Sequence, residues 1–587
     1  MRNMIPNKQI QEKISVPEAI VRVLEEAGID MVFGMPGGDA RLIFDALYDH
    51  RSTIRTVLVR QESLAGVMAE VYGRLTGKPG VAIGQGAFIL SYAMLGTLEA
   101  YLGSSPMLLM ADLSDSAPFS HHAPYQAGTG EYRTWDARRS FGGVTKTTME
   151  LHEAVQAVQG TQLGVKHALA GERGPVALLY HSAALKGMIG RGSVPRLYPT
   201  RYYLHDMVPS GDAAKVQAVA RSLSQAKRPV IIAGNGVCIS KAYDELQELS
   251  ELIGAPVATT ASGKGVFPET HELALGLFGT FGLPVANALV AEGDVIVVVG
   301  SKLSPSDTAS ENPKLLDPER QVIVQVDIEP RNVGWTFPCE HALIGDARTV
   351  LSQVAEAIRS LGSPSGEALA SRRARIADAR RRYGFFDANE FDSDELPMLP
   401  QRIIAEIRKA ISDDAFLACD AGENRLFMIH FFQTKRAGTF ISPAAIGGMG
   451  YAIPAALAAK LIYPERQVLA ICGDGGFAMA MNGLMTAREE GIPIVTVVFN
   501  NSMLGWVKHG QRDRLIASEF SDMNFAEIAR AMGCRGIRVE EPAQLRKELA
   551  EALLRSEPSV LDVVTSRKTS YRDVMSPLAA PREPSRK

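Results

Sequence analysis

The residues best placed to do chemistry lie in the run 468–506, VLAICGDGGFAMAMNGLMTAREEGIPIVTVVFNNSMLGW. An apolar strand ends in Gly473-Asp474-Gly475-Gly476, a helix follows, and a second strand over 494–499 ends in Asn500-Asn501. Two neighbouring parallel strands would deliver Asp474 and Asn501 to one carboxyl edge of a sheet, where open α/β sheets bind ligands. Asp and Asn oxygens are hard ligands suited to Mg²⁺, which shares its shell with phosphate oxygens and water. The glycines let backbone N–H groups approach a diphosphate, and the following helix adds its positive end. Alone, G-D-G-G reads equally well as a plain strand–turn–helix. The 24 residues between Gly475 and Asn500, with a clean strand before each end, favour the metal and diphosphate reading.

The second candidate is Glu62. It follows a strand over 56–59 and opens the apolar helix Ser63-Leu64-Ala65-Gly66-Val67-Met68-Ala69. A carboxyl there is poorly solvated and can share a proton with a ring nitrogen. A helix N-terminal Glu favoured by the macrodipole is the competing reading. Upstream, another strand runs into Gly37-Gly38. In the middle of the chain Gly234-Asn235-Gly236 follows a strand, but a lone G-x-G is weak evidence for a dinucleotide site.

Short apolar runs alternate with amphipathic stretches, the pattern of parallel α/β units. Three blocks emerge, predicting three doubly wound parallel-sheet domains: residues 1–187, 210–362 and 397–570, with a tail at 571–587. Strands are expected at 31–33, 56–59, 81–83, 107–110 and 176–180 in the first. The second has 229–233, 257–260, 295–299 and 322–326, and the third 416–419, 468–471 and 494–499. Residues 187–209 read as a linker and 577–587 as a disordered, Pro-rich end. A length of 587 residues with 46% apolar and 22% charged content supports several packed cores. A net charge of −3 gives no global footprint for nucleic acid. The five cysteines are scattered without a C-x-x-C pair, and no apolar run reaches membrane-spanning length. A cytoplasmic protein with no membrane or nucleic-acid partner is expected.

These motifs resemble the thiamine-diphosphate (ThDP) enzymes, whose diphosphate motif is G-D-G, a spacer, then N-N. The likeness is to the acetolactate synthase and pyruvate oxidase branch and extends over roughly 16–565. It implies Asp474, the Asn501 side chain and the Met503 carbonyl as Mg²⁺ ligands, with Gly473, Gly475, Gly476 and Leu504 around the cofactor. F-G-x-P-G-G followed by R-x-E places Glu62 on the family's catalytic Glu, with Gly37 and Gly38 beside the cofactor. Gly84-Gln85-Gly86-Ala87 matches the family's G-P-G-A except that Gln85 replaces Pro; Gly86 falls in that loop. Gly447-Gly448-Met449-Gly450-Tyr451 resembles G-x-M-G-F, making Met449 the apolar wedge that bends the cofactor and Gly447 its neighbour. The central block resembles the branch's middle domain, which binds FAD in some members and is empty in others. The family's Glu and diphosphate site come from different subunits, implying a homodimer or homotetramer.

The resemblance implies a ThDP- and Mg²⁺-dependent lyase or carboligase acting on small carbonyl substrates, a 2-keto acid or an acyloin. The alternatives are an FAD-dependent oxidase and a 2-hydroxyacyl- or oxalyl-CoA lyase, the latter needing a basic patch near Arg567, Lys568 and Arg572. Val507 stands where simple decarboxylases of the family carry a Glu, so capture by a second carbonyl is favoured over protonation. Gly510 and Trp506 stand where acetolactate synthase usually has Trp and Met. His121 and His122 occupy a loop where family decarboxylases have a His-His pair, though the spacing differs and two solvated histidines compete with that role. Gln126 is either a polar handle for substrate or ordinary packing.

Overall fold

The computed structural model describes residues 9–113, 126–205 and 208–575. Residues 1–207 form one compact unit and 208–587 a second.

The first unit opens on β1 (Ile14–Ser15) and continues through β2 (Met31–Gly34), β3 (Arg55–Leu58), β4 (Gly80–Gln85), β5 (Met107–Leu113), β6 (Thr147–Leu151) and β7 (Pro175–His181). These last six make one parallel sheet in the order β3-β2-β4-β5-β7-β6. The order reverses between β2 and β4, the crevice position of open α/β sheets. The stretch read as a linker carries β8 (Met188–Ile189), which pairs antiparallel with β1 and ties the end of the unit to its beginning. A strand of two residues is too short to show periodicity.

Helix Glu62–Thr76 explains its own unusual sequence. Both its faces are buried, so it reads as a near-continuous apolar run. Its glycines are contact points. A Cβ at Gly66 would lie 2.7 Å from the Ala93 carbonyl oxygen, and one at Gly73 would collide with the Pro106 carbonyl. The helix stops at Gly77, whose φ of 78° closes it with a left-handed residue.

The second unit holds two sheets. The middle one comprises β9 (Pro229–Ala233), β10 (Val257–Thr259), β11 (Ala274–Leu277), β12 (Val295–Val299), β13 (Val322–Asp327) and β14 (His341–Ile344). Its order is β11-β10-β9-β12-β13-β14, all parallel. The last comprises β15 (Phe416–Cys419), β16 (Phe440–Ile441), β17 (Val468–Gly473), β18 (Val495–Asn500), β19 (Arg535–Val539) and β20 (Ser559–Val564). Its order, β16-β15-β17-β18-β20-β19, reverses between β15 and β17. The first and last sheets thus share one strand order, whereas the middle sheet has the order of dinucleotide-binding folds.

A buried ion pair joins the two sheets' domains. Lys264 Nζ lies 2.6 Å from Glu269 and donates to the Phe432 carbonyl at 2.7 Å. Glu269 in turn accepts from the Thr434 N–H at 2.8 Å. Breaking such a pair costs more than the pair contributes, because it strands a buried charge.

The tail assigned to 571–587 begins too early. Tyr571 is fully buried in the core of the last domain, because a 3-10 turn over Tyr571–Asp573 folds its ring back against Phe427. A single aromatic in a polar stretch gave no periodic signal. Residues 577–587 lie outside the described residues.

Candidate active site

At the carboxyl edge of the last sheet a cavity of about 250 Å³ opens at the reversal between β15 and β17. Its walls include Ala421, Gly422 and Glu423 after β15, Gly473, Asp474, Gly475 and Gly476 after β17, and Asn501, Met503 and Leu504 after β18. Gly447 and Met449 line it as well. The three strand ends meet because β15, β17 and β18 are adjacent and in parallel register, with Gly473 opposite Phe499.

Asp474 is 4% exposed and heads the helix Asp474–Ala480. Its carboxylate accepts the Gly475 N–H at 2.7 Å and the Met503 N–H at 3.3 Å. Burial pushes the carboxyl up to about 6, and the backbone amides only partly offset that. A buried acid held by amides alone has an unmet demand for positive charge. With the Asn501 amide it gives the hard-oxygen donor set that a divalent ion such as Mg²⁺ takes. Ser502, with φ of 53°, turns the chain between Asn501 and Met503. The two asparagines divide their labour. Asn500 points away and donates to Asp562 Oδ1 at 2.8 Å and to the Met523 carbonyl at 2.9 Å. Asn501 lines the cavity.

The glycines of the motif are used for closeness. A Cβ on Gly475 would lie 2.7 Å from Met449 Cε, and one on Gly476 would lie 2.6 Å from Asp420 Oδ2. Asp420 itself was not singled out from sequence. It is buried, pushed up to about 6 by that burial, and accepts the N–H of Ala421 at 2.7 Å and of Gly450 at 3.0 Å. It thereby fixes the turn that presents Met449.

Glu423 and His509 were also missed. Glu423 lines the cavity at 6% exposure, and both its oxygens lie 3.0 Å from His509 Nδ1. Its Oε1 also accepts the Tyr571 N–H at 2.8 Å. An acid three residues after an Asp and 86 residues before a His carries no local signal; only the fold joins them.

In the first unit, the predicted residues gather at the carboxyl edge of its sheet. Glu62 is 5% exposed, with its Cγ 3.5 Å from where a Cβ on Gly84 would stand. Asp112, at the end of β5, accepts the N–H of Asp39 at 2.7 Å and of Gly86 at 3.2 Å, tying the Gly37-Gly38 turn to the Gly86 turn. Burial raises the Asp112 carboxyl. Gln85, the departure from the family's Pro, donates through Nε2 to Gln126 Oε1 at 2.5 Å. Gln126 has φ of 60° and its carbonyl accepts the Trp135 indole N–H at 3.2 Å. His121 and His122 lie outside the described residues.

The middle sheet's G-N-G serves packing. A Cβ on Gly236 would lie 2.5 Å from Gly300 Cα, and the Gly236 N–H donates to the Gly300 carbonyl at 3.0 Å.

Comparison with known proteins agrees with this layout. Three family descriptions match in series: the N-terminal TPP binding domain of thiamine pyrophosphate enzymes over 14–129, the central domain over 216–354 and the C-terminal TPP binding domain over 420–563. A probable acetolactate synthase large subunit of Methanocaldococcus jannaschii is 31% identical over 93% of this chain and 91% of its own. The acetolactate synthase large subunit of Corynebacterium glutamicum is 28% identical over 96% and 89%. The acetolactate synthase isozyme 3 large subunit of Escherichia coli is 28% identical over 92% of each. The chain therefore belongs to the thiamine pyrophosphate (ThDP) enzymes, as an enzyme of the carboligase and decarboxylase type.

Proposed function

We propose that this enzyme uses ThDP with Mg²⁺ to make or break the carbon–carbon bond beside a carbonyl, acting on a 2-keto acid or an acyloin. The observation that carries the reading is Asp474: a buried carboxyl with amide partners only, sharing a cavity with Asn501 and Met503. In this reading Asp474, the Asn501 side chain and the Met503 carbonyl hold the metal. Gly473, Gly475 and Gly476 admit the diphosphate, and Gly447, Met449 and Leu504 wall the cofactor.

ThDP, when bound, supplies a thiazolium carbon that can add to a carbonyl and stabilise the charge left when a neighbouring bond breaks. The chain's part is to bind, orient and move protons. Glu62, buried at its sheet edge, would serve as the acid–base group toward the aminopyrimidine end of the cofactor. Gly37, Gly38 and Gly86 accompany it, fixed by Asp112. Met449 is wedged against Gly475 and is suited to impose a bend. Val507 lines the cavity with an apolar side chain where a proton donor would quench the reaction, which favours ligation to a second carbonyl. Gln126, with its amide against Gln85, is a handle for the substrate oxygen, and His121 and His122, which lie outside the described residues, are taken as catalytic by resemblance to the family's His-His pair. Glu62 and the metal site grip opposite ends of one cofactor, which in this reading takes a homodimer or homotetramer.

A panel of 2-keto acids and aldehydes, assayed with ThDP and Mg²⁺ and with products identified by mass spectrometry, tests the reading. Acyloin or 2-hydroxy-3-keto acid products are expected. Turnover that persists after complete removal of ThDP would refute it.

A further inference from the structure

Two of the departures from acetolactate synthase, Trp506 and Gly510, lie one turn apart on helix Gly505–Gln511. The structure gives them one explanation. Trp506 lines the cavity on one side. The Arg572 guanidinium lies over its indole ring, Cζ 3.9 Å from the ring centroid. A side chain at position 510 would obstruct this, because a Cβ there would lie 2.8 Å from Arg572 Nη2. Gly510 therefore clears the space that Arg572 fills.

Arg572 is also held from behind. The preceding Tyr571 is fully buried, with its N–H on Glu423 and its hydroxyl donating to the Phe281 carbonyl at 3.0 Å. Ser570 Oγ accepts the Arg572 N–H at 3.1 Å. Trp506 is set edge-on against Phe281, with ring centroids 6.4 Å apart. The guanidinium is thus exposed yet placed by a rigid base.

Its charge is not spent on the described residues. Among the described residues the Arg572 guanidinium makes no ion pair, and its one hydrogen bond is a long one of 3.4 Å from Nη2 to the Trp506 carbonyl. Its neighbour Arg567 differs, sitting 2.6 Å from Glu519, which also takes Lys508 at 2.8 Å. A guanidinium stacked on an indole keeps its edge donors in a planar fork, the geometry that grips a carboxylate or phosphate with two hydrogen bonds.

We propose that Arg572, stacked on Trp506 one ring from the cavity, recognises an oxyanion carried by the substrate, so that the enzyme prefers an acceptor bearing a carboxylate or a phosphate. This rests on the carbonyl-ligation reading above for its kinetics, but not for its binding test. In the ThDP- and Mg²⁺-loaded protein, pyruvate and inorganic phosphate are titrated separately at constant ionic strength while tryptophan fluorescence is followed. The chain has three tryptophans, and Trp506→Phe identifies the signal of this one. Saturable quenching is expected with at least one probe, weakened tenfold or more in Arg572→Met and partly restored in Arg572→Lys. Which probe saturates distinguishes carboxylate from phosphate. Equal titrations in Arg572→Met and the parent, or no saturation by either anion, would overturn the proposal. In the ligation assay with a fixed donor, Arg572→Met should raise KM for a carboxylate- or phosphate-bearing aldehyde at least tenfold more than KM for an uncharged one. An equal rise for both would also overturn it. Failure of all turnover with the binding result intact would instead count against the function proposed above.

Discussion

The middle and last sheets of the second unit put glycine-rich turns to opposite uses. Both are parallel, and each ends a central strand in glycines where the strand order reverses. At the end of β9, Gly234 and Gly236 let backbone meet backbone against Gly300. At the end of β17, Gly475 and Gly476 leave room for side chains instead, Met449 and Asp420, around a cavity that also takes in Asp474 and Asn501. Glycine licenses close approach in both places. What approaches, backbone or side chain, is decided by the residues opposite.

Breaking the proposed metal site of the last sheet should have the largest effect. Asp474→Ala should lower turnover, measured with ThDP and Mg²⁺, by more than about 100-fold, since even an outer-shell partner of a metal is worth 10- to 100-fold. Asn235→Ala, at the corresponding turn of the middle sheet, should leave ThDP affinity unchanged in calorimetry. Glu62→Gln should reduce turnover by about 10²- to 10⁴-fold, the usual range for an acid–base group, while ThDP still binds. The glycines separate stability from binding. Gly236→Ala should cost about 1–3 kcal/mol in denaturant unfolding, because backbone on both sides cannot yield. Gly475→Ala should chiefly weaken ThDP binding, because its Cβ would press on the flexible tip of Met449, with Leu504 and Phe520 at ordinary contact distance.

The smallest effect concerns pH. Burial raises the Asp420 carboxyl from 3.8 to about 6. The folded protein then binds more protons than the unfolded chain between those values, so this contribution to stability is present at low pH and lost as pH rises to about 6. Asp420→Asn should flatten the stability–pH curve over that window. A curve as steep as the parent's would assign the pH dependence to other groups.

Much of this architecture was legible in the sequence because parallel strands buried on both faces are short unbroken apolar runs. β9, β12 and β15 fall where PVIIA, VIVVV and FLAC announce them. β19 (RGIRV) and β6 (TTMEL) are partly polar edge strands and give no such signal. β20 hides an acid, Asp562, whose burial is balanced by Asn500 and the Phe525 N–H. The same division holds at the site. Asp474 and Asn501 were readable because their spacing is fixed within one βαβ unit. Glu423 and His509 become partners only when the strand order brings the end of β15 near the helix that follows β18, and Arg572 meets Trp506 only because Tyr571 anchors the segment after β20. The Gly234–Gly236 signal was real, yet backbone packing accounts for it.

Calorimetric titration of ThDP into the cofactor-free protein, once with Mg²⁺ and once with EDTA, tests the central claim most directly. The account predicts saturable binding with Mg²⁺, about 100-fold or more weaker in EDTA, and a similar loss in Asp474→Ala even with the metal present. Equal affinity with and without the metal, or an unimpaired Asp474→Ala, would contradict it.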